Sequence, residues 1–212
     1  MPLVYQQNIN DTTKLGIWHI AETEDFFLEQ VPLQREISHW HKRLQHLAGR
    51  SLLKQLYPDF PYDLIRIADT RKPFLENEAY HFSISHCGDY AAVIVSKEER
   101  VGVDIELFND KIGRIKDKFL SIEEQRLIEK IVNAQYSTLN IQLLCWSIKE
   151  AVYKWYGDGG VDFKEHIQIT DILLDNKRGT AICRFLKNTD EQLKVQFVLF
   201  DEYSLSWLVQ RF

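Results

Sequence analysis

The chain has 212 residues, 45% of them hydrophobic and 27% charged, a balance that fits a globular protein and excludes a disordered or fibrous one. Its 26 basic and 31 acidic side chains give a net charge of -5, the wrong sign for a protein that lives on nucleic-acid phosphates. Three widely separated cysteines, Cys87, Cys145 and Cys183, form neither a disulfide framework nor a thiolate zinc site, and read as buried thiols in a reducing compartment.

Residues 15–20 (LGIWHI) read as a strand. Residues 34–56 follow as an amphipathic helix, with Ile37, Trp40, Leu44, Leu47, Leu52 and Leu56 near helical spacing and Pro58 and Pro61 beyond its end. Within it, Arg35, Lys42, Arg43, Arg50 and Lys54 face a single acid, Glu36. Such an excess is either a solvated helix face or a collector of a multiply charged small anion. Strands are expected at 64–68, 80–85, 89–96 and 101–106, with turns at Gly88-Asp89 and at residues 98–100. Helices follow at 110–119, at 122–135 with Ser121 as N-cap, and at 140–156, stopped by Gly157. Four more strands close the chain, at 165–174, 179–187, 193–200 and 204–211. Each half thus carries helix followed by strands, in an α+β arrangement with a boundary at 105/106, so that residues 1–105 and 106–212 form the two halves.

Four segments could carry chemistry. In VGVDIE (101–106), Asp104 and Glu106 point to one face of a strand while Val101, Val103 and Ile105 point to the other. Two carboxylates so placed are either solvated at a strand edge or hold a cation, and oxygen ligation suits Mg²⁺. In WSIKEAVYK (146–154), Trp146, Glu150, Tyr153 and Lys154 share a helix face, with Lys149 about 100° away from Glu150. Glu150 and Lys154 there are either a surface ion pair or a third metal carboxylate beside a phosphate contact. In HFSISHC (81–87), Ser85 and His86 close a strand and can both reach phosphate oxygens. Neighbours on a strand point to opposite faces, so they do not form a nucleophile–base pair. Arg71-Lys72-Pro73 adds a basic corner.

The order of these elements, a basic helix, R-K-P, F-S-I-S-H, V-G-V-D-I-E, F-L-S-I-E-E and W-S-I-K-E-A-x-x-K, resembles the 4'-phosphopantetheinyl transferases, and within them the large monomeric, surfactin-type enzymes. The resemblance runs from about residue 40 to about residue 160. It implies two pseudo-equivalent α/β halves with coenzyme A in the cleft between them. It also implies transfer of 4'-phosphopantetheine to a serine of an apo acyl or peptidyl carrier protein, releasing adenosine 3',5'-bisphosphate. Position by position, Asp104, Glu106 and Glu150 match Mg²⁺ ligands (Mn²⁺ being an alternative), and Lys154 matches a contact to the coenzyme A phosphates. Lys72, Ser85 and His86 match nucleotide or pyrophosphate contacts. Arg43, with Arg50 as the alternative, is the candidate from the basic helix. Glu124 and Lys149 match the proposed proton acceptors, although Glu124 also completes a capping box with Ser121. Cys87 stands where many relatives carry serine.

A Mg²⁺-dependent phosphohydrolase would explain the carboxylates but not the R-K-P and S-H elements. A non-catalytic binding module would be favoured by a missing ligand, and none is missing. The expectation is a monomeric, soluble, cytoplasmic enzyme with no nucleic-acid partner. No membrane is involved on this reading, because the N-terminus has no basic start leading into an apolar run and no apolar stretch approaches the roughly 18 residues of a span.

Overall fold

The computed structural model describes residues 2–33, 36–132 and 136–211. The chain mixes α and β structure and divides into two compact units, one of residues 1–101 with 211–212 and one of residues 102–210. Among the described residues no helix is long and apolar enough to cross a membrane.

In the first unit, strands β1 (Leu3–Asn10), β2 (Thr13–His19), β5 (His81–Cys87) and β6 (Tyr90–Ser96) form an antiparallel sheet in the order β1-β2-β6-β5. A separate hairpin of β3 (Ile65–Ile67) and β4 (Pro73–Leu75) carries Arg71 and Lys72 of the R-K-P corner in its loop. Helix α1 (Glu24–Leu28) is short, and helix α2 (Trp40–Leu56) covers the sheet. The apolar side of α2 is Leu44, Leu47, Ala48, Leu52, Leu53 and Leu56, all buried with Trp18, Phe27, Ala91, Val93 and Val95 in one core.

The expected helix start at residue 34 is too early. Residues 36–39 are not helical, His39 is extended (φ -80°, ψ 114°), and residues 34 and 35 lie outside the described residues. Trp40 is not part of the apolar stripe either, being 62% exposed. Strand β1, helix α1 and strand β4 are additions to the sequence-based expectation.

The second unit is built around helix α5 (Thr138–Tyr156), packed on a five-stranded sheet. The sheet contains β7 (Arg100–Leu107), β8 (Ile167–Asp175), β9 (Arg178–Phe185), β10 (Glu191–Leu199) and β11 (Tyr203–Gln210), in the order β7-β11-β10-β9-β8. Local chemistry sets both ends of α5. Ser137 and Asn140 satisfy each other's backbone N–H groups at the start, and Gly157 closes the end in the left-handed region at φ 83°, where a Cβ is disfavoured. The helix is apolar nearly all round, with Ile141, Leu144, Ile148, Val152 and Trp155 fully buried, as befits the central element of a core.

The expected helix at 110–119 is a four-residue α3 (Ile112–Ile115) followed by a 3₁₀ turn at Lys116–Lys118. Helix α4 (Ile122–Ile131) starts with the capping box foreseen at Ser121, and residues 133–135 of its expected length lie outside the described residues. Cys145 and Cys183 are buried and Cys87 is half-buried, and none of the three is in a disulfide.

Strand β7 meets α5 at Gly102, where backbone replaces side chain. A Cβ there would lie 2.0 Å from the Ala151 carbonyl oxygen and 2.8 Å from the Trp155 nitrogen, so neither neighbour could move without shifting the helix. Gly102→Ala is therefore expected to destabilise the protein by about 1–3 kcal/mol, the usual cost of overpacking. Urea unfolding checks this, and an unchanged midpoint would mean that strand and helix are not in close contact.

Candidate functional site

Strand β7 and helix α5 bring together the acidic residues singled out in the sequence. Val101, Val103 and Ile105 are buried, at 2%, 0% and 1% exposure, as the apolar positions of the strand should be. Asp104 on the opposite face is also buried, at 2%, and Glu106 is half-buried. Burial of Asp104 excludes the solvated-edge alternative. The Lys154 ammonium lies 2.6 Å from Asp104 Oδ1, an ion pair between helix and strand rather than a surface pair with Glu150.

Burial pushes the Glu150 carboxyl up to about 7; the neighbouring Asp104 and Glu106 carboxylates add to that push, and Lys154 opposes it. Glu150 is thus near enough to Asp104 and Glu106 to be repelled by both. Among the described residues no three His, Cys, Asp or Glu side chains form a ready metal shell. The donors are nonetheless all oxygen, and their mutual repulsion is what a cation would relieve. Mg²⁺ characteristically uses one or two carboxylates, waters and substrate phosphates, so an incomplete protein shell fits it.

The other acid–base candidates lie deeper. Lys149 is 0% exposed and Glu124 is 2% exposed, with Nζ and Oε1 2.6 Å apart. The Lys149 ammonium also donates to the carbonyls of Phe119 (2.7 Å) and Phe163 (2.8 Å). Glu124 Oε1 accepts from the Ile169 N–H (2.8 Å), and Oε2 accepts from the Ser121 N–H (2.7 Å). Burial pulls the Lys149 pKa down against the opposing pull of Glu124. The capping role of Glu124 is therefore realised, and both oxygens are engaged.

The sequence marks Trp146 by its helix face and as the first residue of W-S-I-K-E-A-x-x-K, without indicating what it contacts. Its indole N–H donates to Glu106 Oε1 at 3.2 Å, and its ring meets Phe119 at 5.1 Å and Phe163 at 5.3 Å between centroids. The spacing of Trp146 four residues before Glu150 was the available signal. The two phenylalanines come from segments distant in sequence.

In the first unit, Ser85 is buried and His86 exposed, as adjacent strand residues must be. The turn after them is held from α2. Gln45 Nε2 donates to the Gly88 carbonyl at 2.7 Å, and His41 Nε2 lies 2.9 Å from Asp89 Oδ1. Lys72 is half-buried in the β3–β4 loop. It lies close enough to His81 that its charge and that of Arg100 help burial to lower the imidazole pKa, against Glu78.

Arg43 is committed within its own unit. It grips Glu24 through Nε (2.6 Å) and Nη2 (2.8 Å), and it donates to the Ile37 carbonyl (2.8 Å). That bond holds the Glu24 carboxyl below its ordinary range. Arg50 is 7% exposed and hydrogen-bonded to Tyr62.

A family model described as "4'-phosphopantetheinyl transferase superfamily" matches residues 100–208, just over half of the chain. The chain belongs to the 4'-phosphopantetheinyl transferase superfamily. The matched stretch contains β7, α4 and α5, and with them Asp104, Glu106, Glu124, Lys149, Glu150 and Lys154. Curated relatives are similar over parts of their length. An L-aminoadipate-semialdehyde dehydrogenase-phosphopantetheinyl transferase of Xenopus laevis is 28% identical over 130 residues, 53% of this chain and 43% of that protein. A putative 4'-phosphopantetheinyl transferase of Haemophilus influenzae is 32% identical over 124 residues, 57% of this chain and 52% of that protein. Enterobactin synthase component D of Escherichia coli is 29% identical over 116 residues, 53% of this chain and 54% of that protein. The match spans about half the length of these relatives.

The Glu150 environment of this superfamily member has a consequence for stability. With a folded pKa of about 7 against an ordinary 4.5, the folded chain holds a proton that the unfolded chain has already lost. Its contribution to stability is therefore fullest below about pH 4.5 and is lost as pH rises towards 7. In metal-free buffer, Glu150→Gln should flatten the decline in stability between pH 5 and pH 7.5, measured by urea unfolding. Parallel pH profiles for the two proteins would contradict this electrostatic account.

Proposed function

We propose that the chain transfers 4'-phosphopantetheine from coenzyme A to a serine of an apo acyl or peptidyl carrier protein. The observation that carries the reading is the convergence of Asp104, Glu106 and Glu150 beside Lys154, inside the stretch that matches the superfamily. The two-halved transferase architecture, with residues 1–105 and 106–212 as its halves, belongs to the same proposal. So do a monomeric state and a cytoplasmic location.

In this reaction the carrier serine oxygen forms a bond to the β-phosphorus of coenzyme A. The bond from that phosphorus to the bridging oxygen breaks, and adenosine 3',5'-bisphosphate leaves with the electron pair. Phosphoryl transfer of this kind depends mainly on position and charge stabilisation. Asp104, Glu106 and Glu150 would hold Mg²⁺ (or Mn²⁺), which supplies positive charge to the pyrophosphate oxygens when bound.

Lys154 would leave Asp104 as the cation arrives and turn its ammonium to the phosphates. Ser85, His86 and Lys72 would bind the nucleotide end, where the hydroxyl, the imidazole and the ammonium are each able to contact phosphate. Arg43 fits this role only by releasing Glu24. We assign it instead to tying α1 to α2. The serine proton must be taken up as the new bond forms. The resemblance proposes Glu124 and Lys149 for this, and a direct role for either requires the buried pair to open.

Intact-mass spectrometry of an apo acyl carrier protein, incubated with this protein, coenzyme A and Mg²⁺, tests the proposal. One added phosphopantetheine, absent with EDTA, is expected. Asp104→Ala should cut the initial rate about 100-fold or more while the protein stays folded, the scale seen when a charge-stabilising group is lost. Normal turnover by that variant would remove the metal assignment. Failure to modify acyl, peptidyl and polyketide carriers alike would remove the transferase reading.

A further inference from the structure

Lys149 is an ammonium with no exposure, and burying one is unfavourable unless it is fully paired. Its partners show what that burial secures. Two of them are the carbonyls of Phe119 and Phe163. The rings of these same two residues are the ones packed on Trp146. The third partner, Glu124, is anchored to Ser121 and Ile169. Phe119 ends the 3₁₀ turn at Lys116–Lys118. Phe163 sits in a turn in which Asp162 Oδ1 accepts from the N–H groups of Lys164 and Glu165. One buried cation thus draws two remote turns together, and those turns clasp the indole whose N–H reaches Glu106.

We infer that Lys149 is a positioning residue for Glu106 and acts through Trp146. The inference rests on the reading of Glu106 as part of a cation site. An indole N–H is a donor only, so its bond to Oε1 helps fix the plane of the carboxylate without competing as an acceptor. Partners that orient a ligating carboxylate in this way commonly change metal affinity by 10–100-fold when removed. Lys149 needs no contact with substrate in this role, and its complete burial is consistent with that.

The test measures Mn²⁺ affinity in the presence of coenzyme A, from the electron paramagnetic resonance signal of free Mn²⁺. It compares the unaltered protein, Trp146→Phe, Lys149→Met with Glu124→Gln, and the combination of all three substitutions. Pairing Lys149→Met with Glu124→Gln leaves no unpaired charge in the interior. Trp146→Phe keeps an aromatic ring at the site and can be read alone if the buried pair cannot be replaced. Each altered protein should bind Mn²⁺ about 10-fold more weakly or worse. The combination should be no weaker than the weaker of its two parents, because both changes remove one mechanical route.

Multiplying losses would show two separate routes and overturn the inference. So would full Mn²⁺ affinity in Trp146→Phe, or loss of turnover with unchanged affinity when Lys149 and Glu124 are replaced, the signature of a proton-acceptor pair. Absence of Mn²⁺ binding by the unaltered protein would overturn the metal reading itself, and the inference with it.

Discussion

The approach of strand β7 to helix α5 at Gly102 is the constraint on which the rest of the second unit depends. With no side chain at that position, the strand lies directly against the backbone of Ala151 and Trp155. Asp104 and Glu106 follow two and four residues later on the strand. Glu150 immediately precedes Ala151 on the helix, and Lys154 immediately precedes Trp155. Close packing of strand backbone on helix backbone therefore brings the flanking charged side chains near one another, and the 2.6 Å pair between Lys154 and Asp104 spans this contact. A wider strand–helix spacing would part the carboxylates before any question of chemistry arose.

Two lysines on one helix meet opposite fates for clear physical reasons. Lys154 keeps about a quarter of its side-chain surface exposed and answers a buried aspartate. Lys149 is sealed in and satisfied by one carboxylate and two carbonyls. Removing one partner of such a buried pair typically costs about 3–5 kcal/mol, because the other charge is stranded. The exposed lysine has a role that can change on ligand binding; the buried one holds segments together. On the proposed function, that division separates a lysine that would meet coenzyme A from one that sets geometry.

Much of this was legible in the sequence. The strand at VGVDIE, the Ser121 capping box and the Gly157 stop on α5 are local patterns with local causes, and the structure reproduces each of them. Strand β1 escaped because its Gln and Asn residues are poor strand formers, and as an edge strand it buries only part of one face. Strand β4 begins at Pro73, a residue that usually argues against a strand, and α1 is too short to show helical periodicity. The fate of Lys149 could not be read either. Its three acceptors come from residues 119, 124 and 163, and no spacing rule links them. Arg43 was similarly ambiguous, since its grip on Glu24 joins helices whose mutual placement only the fold decides. Motif spacing thus singled out the acidic residues proposed as the site, while the tertiary partners decided how the basic residues are engaged.

The central claim is that Asp104, Glu106 and Glu150 jointly take a divalent cation when coenzyme A is bound. The most direct measurement is an anomalous difference map from crystals grown with Mn²⁺ and coenzyme A. The account predicts one strong peak about 2 Å from oxygens of these carboxylates and of the pyrophosphate, the range expected for Mg²⁺-type ligation, with the Lys154 ammonium moved off Asp104 Oδ1. Bound coenzyme A with no peak there, and Lys154 still paired with Asp104, would contradict it.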